Sequence, residues 1–130
     1  MDIGSILKHK TIAVVGLSDK PERASYDVAS YLLSQGYRII PVNPNIKEWK
    51  GIKAYPSLSA IPKDIRIDVV DIFRRSEFVP PIVDEAITIG AKAIWMQLGV
   101  INEEAAEKAR SAGLEVVMDR CMKVEHSLRS

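Results

Sequence analysis

Two spacings of apolar residues alternate along the chain. Thr11-Ile-Ala-Val-Val-Gly16 is a short apolar run closed by glycine and reads as a buried strand. From Ser25 to Gly36 the apolar positions recur at helical spacing, with Val28 and Leu32 on one face and Ala29 and Leu33 beside them. Ser25 is placed to cap the first turn, and Gly36 suits the left-handed position past the last. Tyr37-Arg-Ile-Ile-Pro-Val42 is a second strand, stopped at Asn43-Pro44. Residues 45–65, with Gly51, Pro56 and Pro62, read as a long connection with a short helical piece near Leu58. Ile67–Phe73 is a third strand. Ser76–Ile89 is a helix closed by Gly90, with Pro80-Pro81 in or just ahead of its first turn, where missing N–H donors cost least. Lys92–Gln97 is the fourth strand. Asn102–Ala112 is a helix capped by Asn102, with Glu103 and Glu104 at its positive end. Leu114–Met118 is the fifth strand, and short helices are expected over Ile3–His9 and Lys123–Leu128.

Strands apolar on both faces, alternating with helices, form parallel sheets covered on each side. The expected class is α/β: a Rossmann-like doubly wound parallel sheet, five strands in the order 3-2-1-4-5, helices on both faces. One domain spans 1–130, with an N-terminal helix over 1–10, the sheet core over 11–118 and a C-terminal segment over 119–130. Ligands of such sheets bind at the carboxyl ends of the strands where the strand order reverses. That directs attention to the loops Gly16–Ser25, Pro41–Asn45, Phe73–Ser76, Gln97–Val100 and Asp119–Met122.

Composition removes several classes. At 130 residues and 47% hydrophobic the chain suits one globular core. Eighteen Lys and Arg against 17 Asp and Glu give no general cationic footprint for nucleic acid or anionic membrane. The longest apolar runs fall far short of the roughly 20 residues of a membrane span. One cysteine, Cys121, excludes an intrachain disulfide and a zinc cluster, and no metal ligand set is expected. The opening Met1–Lys8 carries an early acid and no cleavage-type small residues, so a cytoplasmic, reducing compartment is expected.

The first loop, Gly16-Leu-Ser-Asp-Lys-Pro-Glu-Arg-Ala-Ser25, carries the strongest chemistry. Gly16 permits a tight turn, Ser18 and Ser25 offer hydroxyls, and Lys20 and Arg23 offer charge beside a helix N-terminus, an anion site that suits phosphate. It is not the dinucleotide fingerprint G-x-G-x-x-G, whose further glycines are replaced by Ser18 and Pro21. The stretch 28–47 also lacks the acid that would hold an NAD ribose. Pro41-Val-Asn-Pro44 is rigid and presents Asn43 and backbone groups beside Val42, which suits the edge of an adenine ring or simply ends a strand. Phe73-Arg74-Arg75-Ser76 brings two cations toward the phosphate region. Trp95 reads by position as core more readily than as ligand contact, whereas Gln97 ends a buried strand and needs a polar partner, and Gly99 allows close approach. Cys121 lies between Arg120 and Met122 with Lys123 nearby; adjacent cations favour a reactive thiolate, while a lone cysteine is also a common packing residue.

The segments Val14–Ala29, Gly36–Pro44, Asp71–Arg75, Trp95–Val100 and Asp119–Lys123, matching in order, resemble the small single-domain CoA-binding protein family, which is similar to the CoA-binding domain of the succinyl-CoA synthetase α-subunit. The resemblance runs from about Thr11 to the end. It implies a Rossmann-like fold with coenzyme A at the strand carboxyl ends. By that resemblance Gly16, Ser18, Arg23 and Ser25, with Lys20 nearby, hold phosphates. Val42, Asn43, Pro44 and Phe73 border adenine and ribose, and Arg74, Trp95, Gln97 and Gly99 line the remaining groove. The ligases carry a further domain with a phosphorylated histidine, which this sequence lacks, so ligase activity is not carried over. The expectation is a protein that binds coenzyme A or its acyl thioesters as carrier, sensor or thiol-redox partner, without a catalytic set. A mixed disulfide of Cys121 with coenzyme A is the one covalent step considered, and no protein partner is named. The competing reading is a nicotinamide-nucleotide-dependent oxidoreductase or another nucleotide-binding enzyme.

Overall fold

The computed structural model describes residues 2–130. Its centre is a five-stranded parallel sheet of β1 (Thr11–Val15), β2 (Arg38–Val42), β5 (Val69–Ile72), β6 (Ala93–Met96) and β7 (Glu115–Val117), in the order β2-β1-β5-β6-β7. Between β2 and β5 a small antiparallel hairpin, β3 (Glu48–Trp49) and β4 (Ile52–Lys53), turns through Lys50 and Gly51, both at positive φ. The helices are α1 (Ile3–Ile6), α2 (Ala24–Ser34), α3 (Val79–Thr88), α4 (Glu103–Ser111) and α5 (Met122–Ser127). No helix among the described residues is long and apolar enough to cross a membrane.

Period-two side-chain alternation divides the core into two layers. Ala13, Val15, Ile40, Val70, Ile72, Ile94 and Met96 face α3, α4 and the short turn at Leu58. Ile12, Val14, Ile39, Val69, Trp95 and Val117 face α1, α2 and α5. The Rossmann-like, doubly wound class therefore holds, but the strand order differs from the expected 3-2-1-4-5. Counting only the five sheet strands it is 2-1-3-4-5, with the third strand beside the first. Pro41 is the physical reason. Residues 39, 41 and 43 point their backbone away from β1, and a proline there has no N–H to give a neighbour, so β2 belongs at an edge. That edge is closed by the returning chain: Tyr55 N–H donates to Pro41 O at 3.0 Å, and Asn43 N–H donates to Tyr55 O at 2.9 Å.

Two local expectations also change. Arg23, not Ser25, is the N-cap of α2, and it makes no side-chain cap bond. The connection 45–65 is less irregular than its prolines suggest, because the hairpin anchors Trp49, 1% exposed, edge-on to Tyr26 of α2 with ring centres 5.6 Å apart. Elsewhere Asn102 caps α4 by accepting from Ala105 N–H at 2.9 Å, and the proline pair occupies the first turn of α3.

The reordered sheet puts the reversal point between β1 and β5. Gly16 sits there at φ +86°, its N–H on Val42 O at 2.8 Å, while Phe73 N–H reaches Val15 O at 2.9 Å. A Cβ on residue 16 would lie 2.4 Å from Phe73 O. Gly16→Ala therefore meets both a disfavoured backbone conformation and a carbonyl that cannot retreat without opening the sheet. It is expected to lower unfolding free energy by about 2 kcal/mol or more, read by urea denaturation.

Asp71 lies two positions before Phe73, between Val14 and Trp95 in register, fully buried, with neither carboxyl oxygen hydrogen-bonded among the described residues. Desolvation raises its pKa well above the ordinary carboxylate value. The folded form thus holds a proton that the unfolded chain gives up near pH 4, so this contribution is present below that pH and is lost as pH rises toward the folded pKa, by up to about 1.4 kcal/mol per unit. Asp71→Asn has no such proton to lose. Its stability relative to the wild type should rise between pH 4 and 7; parallel denaturation curves across that range would show that Asp71 is charged in the folded protein.

Candidate functional site

Three hollows open at the carboxyl edge of the sheet, and all three touch Phe73. The first, about 460 Å³, lies between the end of β2, residues 56–58 and α3. Val42, Pro44, Pro56, Leu58 and Ile82 give it apolar walls, and Glu85 and Ser57 stand at its far side. That volume falls in the range of small-ligand sites and admits a flat heterocycle with its sugar. Ser59 donates from both its N–H and its Oγ to Glu85 Oε2, which fixes the carboxylate at the rim.

The second hollow is lined by Gly16, Ser18, Lys20, Arg23, Ala24, Ser25 and Phe73. The first intrahelical bond of α2 runs from Asp27 N–H to Arg23 O at 3.2 Å, so the N–H groups of the first turn precede it and face outward. Ser25 is buried, and its Oγ accepts from Ser18 N–H at 2.9 Å; Ser18 Oγ in turn accepts from Lys20 N–H at 3.1 Å. Each hydroxyl keeps its hydrogen for an incoming acceptor while its oxygen shapes the loop. The Lys20 and Arg23 side chains are exposed and lie over the helix N-terminus, where the dipole and the cations add.

The third hollow runs the other way along α2, between Ala24 and Val28 on one side and Arg74, Gln97, Gly99 and Cys121 on the other. Gln97 is 4% exposed, and the partner it required is backbone: its Oε1 accepts from Met122 N–H at 3.0 Å, which ties α5 to the sheet. Gly99, at φ +85°, donates its N–H to Asp119 Oδ1 at 2.7 Å. Arg74 stacks over Phe78 at 5.0 Å, and its Cδ overhangs Gly16.

Of the residues singled out from sequence, Gly16, Ser18, Lys20, Arg23, Ser25, Val42, Asn43, Pro44, Phe73, Arg74, Gln97 and Gly99 line these hollows. Trp95 does not. Its side chain is fully buried and its Nε1–H donates to Arg120 O at 2.8 Å, so it holds up the floor from beneath. The strand reordering accounts for this: β5, not β6, adjoins β1, and Phe73 occupies the place that the other order would give to the end of the fourth strand. Asn43 is present, but its amide already donates to Leu17 O at 3.0 Å and accepts from Asn45 N–H at 2.9 Å, binding the two loops together. Cys121 is half-buried on the wall of the third hollow. The cations expected to activate it are engaged elsewhere, Arg120 with Glu125 at 3.6 Å and Lys123 with Asp27 at 2.9 Å. Sequence reasoning missed Pro56, Ser57, Leu58, Ile82 and Glu85. Lys50-Gly51 between Trp49 and Ile52 was a turn signal for the hairpin that brings residues 56–58 back to the site.

Several known proteins are similar to this chain. The YneT protein of Bacillus subtilis, described only as uncharacterized, is 46% identical over 128 residues, covering 98% of this chain and 93% of its own. The α-subunit of an ADP-forming acetate–CoA ligase (II) of Pyrococcus furiosus is 27% identical over 122 residues, and this chain spans 26% of its length. A solved structure of a hypothetical protein from Pyrococcus horikoshii superposes with a TM-score of 0.93 at 46% identity, covering 98% of this chain and 89% of that one. The family model described as a CoA binding domain matches residues 10–127, and the chain belongs to that CoA-binding domain family.

Proposed function

We propose that the protein binds coenzyme A along the three hollows and does not itself make or break the thioester. The observation that carries this is continuity. An apolar, base-sized hollow, a cationic helix N-terminus and a third hollow running along α2 meet at Phe73, in the sequence base, diphosphate, arm that coenzyme A requires. The adenine stacks between Val42, Pro44 and Ile82. The diphosphate lies over the α2 N-terminus with Ser18, Ser25, Lys20 and Arg23, and the pantetheine arm follows Ala24 and Val28 toward Cys121. Membership in the CoA-binding domain family and the likeness to a CoA ligase subunit support the same ligand. The nicotinamide reading loses support at Ser18 and Pro21, which stand where the dinucleotide fingerprint has glycine.

A thermal-shift series of CoA, NAD, NADP, ATP and FAD tests it. CoA at 100 times its dissociation constant should add about 2.7 kcal/mol to stability. Stabilisation by NAD or NADP without CoA would overturn the reading. Arg23→Ala should weaken CoA binding about tenfold, and more at low salt, since a charge-assisted hydrogen bond contributes about 1.5–3 kcal/mol. A change under about threefold would leave Arg23 as a surface charge. Dephospho-CoA should bind more weakly than CoA if Arg74 meets the 3′-phosphate; equal binding places that phosphate in solvent.

The position of Cys121 on the wall of the third hollow adds one covalent consequence. Given CoA disulfide, the Cys121 thiolate attacks one sulfur, the disulfide bond breaks, and a coenzyme A thiolate leaves. Intact mass should show one added CoA moiety, reversed by reductant and absent in Cys121→Ser. No adduct at concentrations where CoA binds would make Cys121 a packing residue.

A further inference from the structure

The third hollow does not end at Cys121. Its outer lip carries Leu98, 70% exposed. Ile101, 47% exposed, follows three residues on, and Phe78, 37% exposed, presents the part of its ring that Arg74 and Arg75 leave open. Singly exposed apolar side chains are ordinary on a protein surface. These three are gathered by specific bonds. Ile101 N–H donates to Ser76 Oγ at 2.9 Å and Asn102 Nδ2 to Ser76 O at 3.0 Å, which lays the 98–102 loop against the 76–78 turn. Val100 N–H closes a turn on Gln97 O at 2.8 Å, and Gly99 is held by Asp119, so Leu98 is fixed at the tip of a braced turn. Behind the lip, Val100 and Val28 continue the apolar surface inward along the hollow.

We infer that this lip, Leu98 with Ile101 and Phe78, is a platform for the acyl chain of a medium-chain acyl-CoA, and that such thioesters are preferred to free coenzyme A. The inference rests on the coenzyme A reading and extends it at the thiol end. A free thiol gains nothing from three aliphatic and aromatic side chains beyond its sulfur, whereas a chain of several methylenes leaves water by lying on them. Continuity with the hollow favours this occupant over a protein. Three side chains offer far less than the roughly 800 Å² per partner of a stable interface.

Calorimetric titration with CoA, acetyl-CoA and octanoyl-CoA tests the proposal. Octanoyl-CoA should bind about tenfold more tightly than CoA, what about two buried methylenes supply, while acetyl-CoA stays close to CoA. In the double variant Leu98→Ser/Ile101→Ser, the ratio of the CoA and octanoyl-CoA dissociation constants should fall to within about threefold; a merely structural lesion would weaken both ligands alike and leave the ratio standing. CoA binding with no octanoyl advantage, or an advantage that survives the double variant, overturns the platform and leaves coenzyme A as ligand. Failure of all three ligands to bind overturns the coenzyme A reading and the platform with it. A sedimenting dimer abolished by the double variant, without an octanoyl advantage, gives the lip to a second copy and also overturns the proposal.

Discussion

Residue 16 has no room for a side chain, and the site is organised around that fact. Phe73 O comes within 2.4 Å of where a Cβ would stand, so the ends of β1 and β5 approach more closely than any residue but glycine allows. From this contact the chain leaves in two directions, into α2 and into the turn ahead of α3. The space between them is the groove. Everything that would touch a ligand is placed by reference to it: the α2 N-terminus on one side, Arg74 overhanging Gly16, and Phe73 as the wall common to all three hollows.

The polar side chains around the groove divide by role. Ser25, Asn43, Gln97 and Asp119 bond backbone groups of neighbouring loops and so hold the edges of the hollows at fixed separations. The exposed cations Lys20, Arg23 and Arg74, with the first-turn N–H groups of α2, are left to meet an anion. Rigid spacing with exposed charge above it suits a ligand that combines an anionic group with an apolar one. Asp71 stands apart, a buried and unpaired acid in the middle of the sheet whose neutral form the fold must retain.

Much of this was legible in the residues. Strand and helix periods are local properties, set by which positions must face a core, and they marked all five sheet strands and every helix within a few positions. The loops at the carboxyl edge followed from the parallel arrangement, and the glycine, hydroxyls and cations of one of them stood out as a candidate anion site. Pro41 bears on the strand order as well. A proline pointing outward from the second strand has no N–H for a further neighbour, which argues for an edge position and against the order 3-2-1-4-5.

Spacing along the chain determined the elements and the class of fold, because each depends on short-range pattern. Which strands are neighbours is a long-range choice. It depended on Tyr55 returning to close the edge of β2 and on how tightly β5 packs against β1, contacts between residues far apart in the chain. That choice put Phe73 rather than Trp95 at the groove, brought Pro56, Leu58 and Ile82 to the first hollow, and paired Arg120 with Glu125 and Lys123 with Asp27. Side-chain identity alone could not separate a tryptophan that lines a groove from one that supports it, since burial beneath a layer of backbone is a property of the assembled sheet.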